Sequence, residues 1–328
     1  MNLKNIIIAA VLSTMLIGFN GCSLLKKRVE KKENVKYTLN GSGKTSIHIE
    51  NINGRINVSN SSDTTGEISI QAEIIADVKY DEQDKQIENV KIKIDSAGSE
   101  IKIETEINSS NSGMFRRNSN AEVNYDIKIP ANMKVYTETV NGTTTVTRLM
   151  NDVKAETVNG KVNIFNCRGK IDVEGVNGSV LCNVDSITEG INISIINGDV
   201  KIGGLKNVDA DVNASTLHGR VKFKNLTFTD VNSEKRTLSG ILGKGGNPVR
   251  VESTNGSISL NADKILPKKD DNFEFKIDLG DDEVPIKITG DENSIEIGPD
   301  RDNDRGRDRD SNDNNKNHNA SDSNNSKK

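Results

Sequence analysis

The chain of 328 residues contains no Trp, and aromatic residues make up only 3% of it. Large globular cores lean on aromatic side chains, and proteins that bind or cleave glycans commonly stack sugar rings on them. Both readings lose ground here, and the few Tyr and Phe do not recur with any period. His48, His218 and His318 are the only histidines, and none has a partner at metal-ligand spacing. No metal and no cofactor is therefore expected. A block of basic residues is also missing, and the net charge is -4, so nucleic acid is not an expected partner. Helical periodicity is nearly absent as well; only Asp81 to Glu88 reads as a short helix. After the N-terminus no run is apolar enough to span a bilayer.

What the chain does have begins at that N-terminus. One early positive charge, Lys4, precedes an apolar stretch from Ile6 to Phe19, and small Gly21 stands directly before Cys22. This is the pattern of a secretory signal. A Cys straight after the small residue resembles the bacterial lipoprotein box, although Phe19 and Asn20 depart from its usual residues. The reading is a signal peptide over 1–21, lipidation at Cys22 and a charged tether over 22–43. Ser23, where an Asp would favour inner-membrane retention, points to the outer membrane or cell surface. At the other end, residues 299–328 carry almost no apolar side chain and read as a disordered polar tail.

Between them, over 44–298, alternating segments such as KIKID and EIKIETEI argue for strands. The most informative feature is a repeated phrase: ENINGRINV, ETVNGTTTV, ETVNGKVNI, EGVNGSVLC, SIINGDVKI, STLHGRVKF and ESTNGSISL, centred on Gly54, Gly142, Gly160, Gly178, Gly198, Gly219 and Gly256. A period near 20 residues marks a repeat architecture. Aligned on Gly, the apolar columns fall two and four residues after it (Val162 and Ile164 in the third unit) and five and seven before it (Ala155 and Val153).

Asn-Gly between alternating runs is also a hairpin signal. In a meander, however, the apolar residue before Asn (Ile52, Val158, Ile196, Leu217) would share a face with the often charged residue after Gly (Arg55, Lys161, Asp199, Arg220). If the chain instead bends there and winds on in one sense, that column joins the others in a single core. This predicts an all-β fold, a single-stranded parallel β-solenoid with coils about 4.8 Å apart. Asn would stack on Asn, Gly would provide the positive φ of each corner, and flanking strands would cap the ends.

Serial VNGxVxI units, the lead-in IKIPANMKVYTETVNG and the closing TLSGILGKGGNPVRVESTNGSISL together resemble the bacterial putative-adhesin domains of unknown function. The likeness runs from Thr45 to Ile297 and is strongest from Ile127 to Leu260. It implies a right-handed parallel β-helix in an exported, lipid-anchored protein. It supplies no catalytic residues, and some relatives are connected with cell-envelope stress responses.

Among candidate sites, the column four before Gly holds Glu50, Glu138, Glu156, Glu174 and Glu252. Stacked carboxylates, with Glu138, Glu156 and Glu174 on consecutive coils, could hold Ca²⁺ or serve a polysaccharide-cleaving enzyme; a solvated outer face is the simpler account. GILGKGG lacks the context of a phosphate loop, and DRDNDRG in the tail misses calcium-loop spacing. Cys167 and Cys182 read as buried free thiols, with a disulfide as the alternative. The functional expectation is a non-enzymatic, membrane-anchored lipoprotein displaying an adhesive surface to a protein or glycan ligand, with self-association through solenoid ends or edges. The alternatives are a periplasmic envelope sensor or scaffold and, third, a polysaccharide-acting enzyme.

Overall fold

The computed structural model describes residues 10–12, 28–61, 66–79, 87–107, 121–266, 286–289 and 296–299. Cys22 and the tail from 300 on lie outside this set, as does the predicted short helix apart from Ile87 and Glu88, which have helical backbone. The chain divides into two units, Met1–Ile265 and Leu266–Lys328.

The first unit is the solenoid. Ahead of it come β1 (Ala10–Leu12) and β2 (Arg28–Asn40), and the first coil is β3 (Ser46–Asn53) with β4 (Ile56–Asn60). Four capping strands follow: β5 (Glu67–Lys79), β6 (Val90–Asp95), β7 (Glu100–Ile107) and β8 (Ala121–Ile129). The next two coils are single long strands, β9 (Lys134–Thr147) and β10 (Val153–Cys167). Later coils break at the corner into β11 (Lys170–Asn177) and β12 (Val180–Val184), β13 (Gly190–Asn197) and β14 (Val200–Gly203), and β15 (Ala210–His218) and β16 (Val221–Lys224). A hairpin, β17 (Phe228–Ser233) and β18 (Thr237–Leu242), precedes the last coil, β19 (Asn247–Asn255) with β20 (Ile258–Asn261). In the second unit β21 (Ile286–Thr289) pairs antiparallel with β22 (Glu296–Pro299).

All coil-to-coil pairings are parallel and in register, as in Ala155 opposite Thr137 on one side and Val173 on the other. The stacking order, however, is not the chain order. β19 lies between β13 and β15, and β20 between β14 and β16. The coil of Gly256 is thus inserted before that of Gly219, and β18 and β17 continue the sheet antiparallel beyond β15. At the other end β8 pairs parallel with β4 and is followed by β5 and β2, both antiparallel, while on the other face β7 pairs parallel with β3 and β6 follows it antiparallel.

Within the segment read as a charged tether over 22–43, residues 28–40 are strand β2, which pairs along its whole length with β5. Alternate residues Val35, Tyr37 and Leu39 turn toward the core while charges point out. The last coil ends at Asn261, within the segment read as solenoid over 44–298. β1 lies within the segment read as signal peptide and pairs with Asn34 to Lys36 of β2.

Four inward columns hold as predicted, from Ile47, Val135 and Val153 through Val249 and Val212. Phe223 is the exception at 41% exposed. β16 ends the stack on its face, so Phe223 packs edge-on against Phe228 instead, with ring centroids 5.3 Å apart.

The Gly column needs a different reason from the one the sequence suggested. Only Gly54, Gly142 and Gly198 have positive φ. In six of the seven, what forbids a side chain is the neighbouring coil, and at Gly54 it is the Val123 carbonyl of capping strand β8. A Cβ on Gly160 would sit 1.6 Å from the carbonyl oxygen of Gly142, and one on Gly178 1.6 Å from that of Gly160. The corners touch backbone to backbone, and only Gly fits.

Candidate functional site

Two outer surfaces concentrate side chains with something to offer a partner. The first is the corner. Here the Asn residues form a continuous ladder in which each side-chain amide donates to the carbonyl oxygen of the next. Asn141 donates to Asn53 at 2.9 Å, Asn159 to Asn141 at 3.0 Å, Asn177 to Asn159 at 3.0 Å, Asn197 to Asn177 at 2.8 Å and Asn255 to Asn197 at 2.7 Å. Asn53 closes one end on the Ala121 carbonyl, and His218 stands opposite Asn255 at the other. His218 departs from Asn where only one neighbouring rung remains to be matched.

Beside the ladder the structure overturns one sequence expectation. The column before Asn was predicted to face the core, yet Ile52, Val140, Val158, Val176, Ile196 and Leu217 are 38% to 57% exposed. Strand alternation runs unbroken to this position, and the bend comes one residue later, at Asn-Gly. The residue before it in the chain turns inward instead. Asn51, Thr139, Thr157, Ile195, Thr216 and Ser253 are buried there, and the seventh position is Gly175, whose missing side chain leaves room for Ile195 on the next coil. With Thr254 between Ile196 and Leu217, the exposed aliphatics form a rib of seven positions about 29 Å long at 4.8 Å per coil.

The second surface is the outer face of β3, β9, β10 and β11. Glu138, Glu156 and Glu174 stack as predicted, and register extends the row through Glu50 to Glu104. Glu252 is separated from Glu174 by Ser194. Cations are interleaved: Lys102 Nζ is 2.8 Å from Glu50, and Lys154 Nζ is 2.6 Å from Glu156. Hydrogen bonding to these carboxylates raises both lysine pKa values. His48, read as an isolated surface residue, lies with Nε2 2.9 Å from Glu138 Oε1 and 3.7 Å from Glu50 Oε1. No spacing rule could find this contact, since β9 lies beyond five intervening strands' worth of chain. A shallow cavity of about 270 Å³ opens here, lined by His48, Glu100, Tyr136, Thr137, Glu138, Lys154 and Glu156.

Neither thiol is bridged: Cys167 and Cys182 are free and buried. Burial pushes Cys167 up to about 11 and raises Cys182 further, so neither is a nucleophile at neutral pH. Gly240, Ile241 and Leu242 of GILGKGG lie within β18, and Gly243 to Gly246 form a turn held by Lys244 N on Asp209 Oδ1 at 2.8 Å.

Register, ladder and backbone-contact corners define the molecule as a parallel β-solenoid of the repeat class. It belongs to the Toastrack DUF4097 family, which matches residues 26–261. Among solved structures it is similar to a putative cell adhesion protein from Clostridium sporogenes ATCC 15579, with 14% identity, TM-score 0.37 and coverage of 72% of this chain and 99% of that one. A putative adhesin from Bacteroides fragilis NCTC 9343 shares 12% identity, with TM-score 0.27 and coverage of 74% and 99%. A putative lipid binding protein from Parabacteroides distasonis ATCC 8503 shares 14%, with TM-score 0.21 and coverage of 70% and 96%. No curated protein matches the chain.

Proposed function

We propose that the protein is a non-enzymatic lipoprotein, acylated at Cys22 and held at the cell envelope, whose solenoid corner binds an extended, apolar segment of a partner protein. One observation carries this reading. At the corner the usual pattern is reversed: hydroxyls of Thr139 and Thr157 are buried without a hydrogen-bond partner among the described residues, while six aliphatic side chains face water. Stability alone favours the opposite arrangement, and local rules are broken mainly where function requires it. The rib has no aromatic residue on which a sugar ring would stack, which favours a protein over a glycan. A single file of aliphatics is narrower than the roughly 800 Å² per partner of a standard interface, so attachment relies on many copies acting together. Three of the carboxylates that an enzyme would use, Glu50, Glu138 and Glu156, are engaged by Lys102, His48 and Lys154.

The test is a triple variant, Val158→Ser, Val176→Ser and Ile196→Ser, presented on cells beside wild type. Adhesion to host or matrix protein should fall at least about tenfold while the melting temperature stays within a few degrees, since surface changes seldom exceed about 0.5 kcal/mol each. Unchanged adhesion by the variant sinks the rib. Protease shaving of intact cells, with a periplasmic control, decides display: cleavage only after permeabilisation would replace adhesion with a partner inside the envelope.

A further inference from the structure

His48 and Glu50 are two residues apart on β3 and so project from the same face. Register places Glu138 of β9 directly beside Glu50, and Tyr136 beside His48. The result is one imidazole nitrogen and two carboxylate oxygens whose ligand atoms all lie within 4.8 Å of one another. We propose that His48, Glu50 and Glu138 form a divalent-metal site suited to Zn²⁺, joining two coils whose ligands are far apart in the chain.

The donor set fits that ion. Zn²⁺ takes imidazole nitrogen and carboxylate oxygen at about 2.0–2.2 Å, and tetrahedral bonds of that length put neighbouring ligand atoms about 3.3–3.6 Å apart. The separations from His48 Nε2, 2.9 Å to Glu138 and 3.7 Å to Glu50, bracket this range. Small side-chain rotations therefore suffice. The imidazole distinguishes these residues from the rest of the acidic row. Along Glu156 and Glu174 the neighbouring column offers Lys154 and Asp172, a cation and a further hard oxygen but no nitrogen ligand. The Tyr136 ring meets the imidazole edge-on, with centroids 6.3 Å apart at 65°, and restricts its swing. Three protein ligands leave a fourth position, and the cavity lined by His48, Tyr136 and Glu138 provides an approach to it. An oxygen ligand, water or a carboxylate from a partner, would complete the shell. Lys102, 2.8 Å from Glu50 Oε1, competes with the metal for that oxygen and weakens the site.

The test uses the purified full-length chain stripped with chelator. Zn²⁺ is titrated calorimetrically, and Co²⁺ is added in parallel as a spectroscopic stand-in. One Zn²⁺ per chain is expected, together with visible Co²⁺ absorption bands. His48→Ala and Glu138→Gln should each weaken binding by at least about tenfold and abolish the bands, Lys102→Met should tighten it, and Glu174→Gln should leave it unchanged. All four positions are at the surface, and equal melting temperatures without metal would exclude misfolding. Two results overturn the proposal. If wild type takes up no Zn²⁺ at millimolar concentration, the group is a hydrogen-bonded surface cluster only. If His48→Ala retains wild-type affinity, zinc binds elsewhere, with His218, His318 and the Asp-rich tail as its remaining ligands.

Discussion

At the scale of single residues, identical Gly residues do different work. Gly160→Ala would force a Cβ to within 1.6 Å of a backbone carbonyl on the next coil. Neither coil can yield without breaking parallel pairing, so a loss of more than about 4 kcal/mol, in the range of severe core disruption, is expected. Gly98→Ala meets nothing within 4 Å and has φ +66°, so only left-handed strain of about 1 kcal/mol applies. Denaturant unfolding of the two variants measures the contrast. Thr144 lies in an inward column whose neighbours are Ile56 and Val162, fully buried with its hydroxyl unpartnered among the described residues. Thr144→Val keeps the shape and removes the unmet group, and should stabilise by about 1 kcal/mol, visible as a rise in melting temperature. Four apolar columns were legible from spacing, because a period of two counted from a fixed Gly assigns their face, whereas the column before Asn was misplaced because the bend was expected one residue too early. The reason for Gly was not legible, since backbone contact between coils arises only once they are stacked.

Among elements, the inserted coil carries the main lesson. Its units repeat the same columns as every other coil, so sequence pattern is indifferent to their order, and the chain order offered no hint that β19 and β20 would slip between earlier coils. Paired on both sides, their amides from Val249 to Leu260 should exchange with deuterium more slowly than those of β16 and β17, which are largely exposed. Faster exchange in β19 than in β16 would contradict the insertion. β2 teaches the converse. Val35, Tyr37 and Leu39 already alternated in the sequence, but the charged run from Arg28 to Glu33 ahead of them masked a strand that only the partner β5 makes worth forming. The His48 cluster was equally out of reach, because its residues meet through register between distant strands.

For the molecule as a whole, titratable groups set the pH range of stability. Cys167 rises from 9.0 to about 11, and Cys182 and Tyr125 rise too, in each case through burial. A thiol whose folded value lies above its unfolded one stabilises fully below the unfolded value and loses that contribution as pH climbs toward the folded one. Asp152 works at the other end: burial opposes ionisation, but Lys134 and the Lys170 amide more than offset it, so its pKa falls below 3.8. Its contribution is present above that value and lost in acid. Stability should therefore hold from about pH 5 to 8 and decline from pH 9 to 11. Replacing both cysteines with Ala should flatten that alkaline decline, as read by urea midpoints across the range; an unchanged slope would remove the thiols from the account.

The position of β19 and β20 also has a consequence in time. A repeat protein can usually grow from one end as its chain is delivered, each coil adding to the last. Here β13 and β14 are delivered well before their proper neighbour exists, while β15 and β16, with matching columns, arrive first. A chain delivered N-terminus first thus meets a decoy at its own growing edge. It must either hold that edge open for 58 residues, the spacing between Gly198 and Gly256, or form the wrong stack and undo it. Folding is predicted to have a slow step whose rate depends on delivery of the final coil, and a chain ending near Lys224 would settle into the decoy arrangement for good.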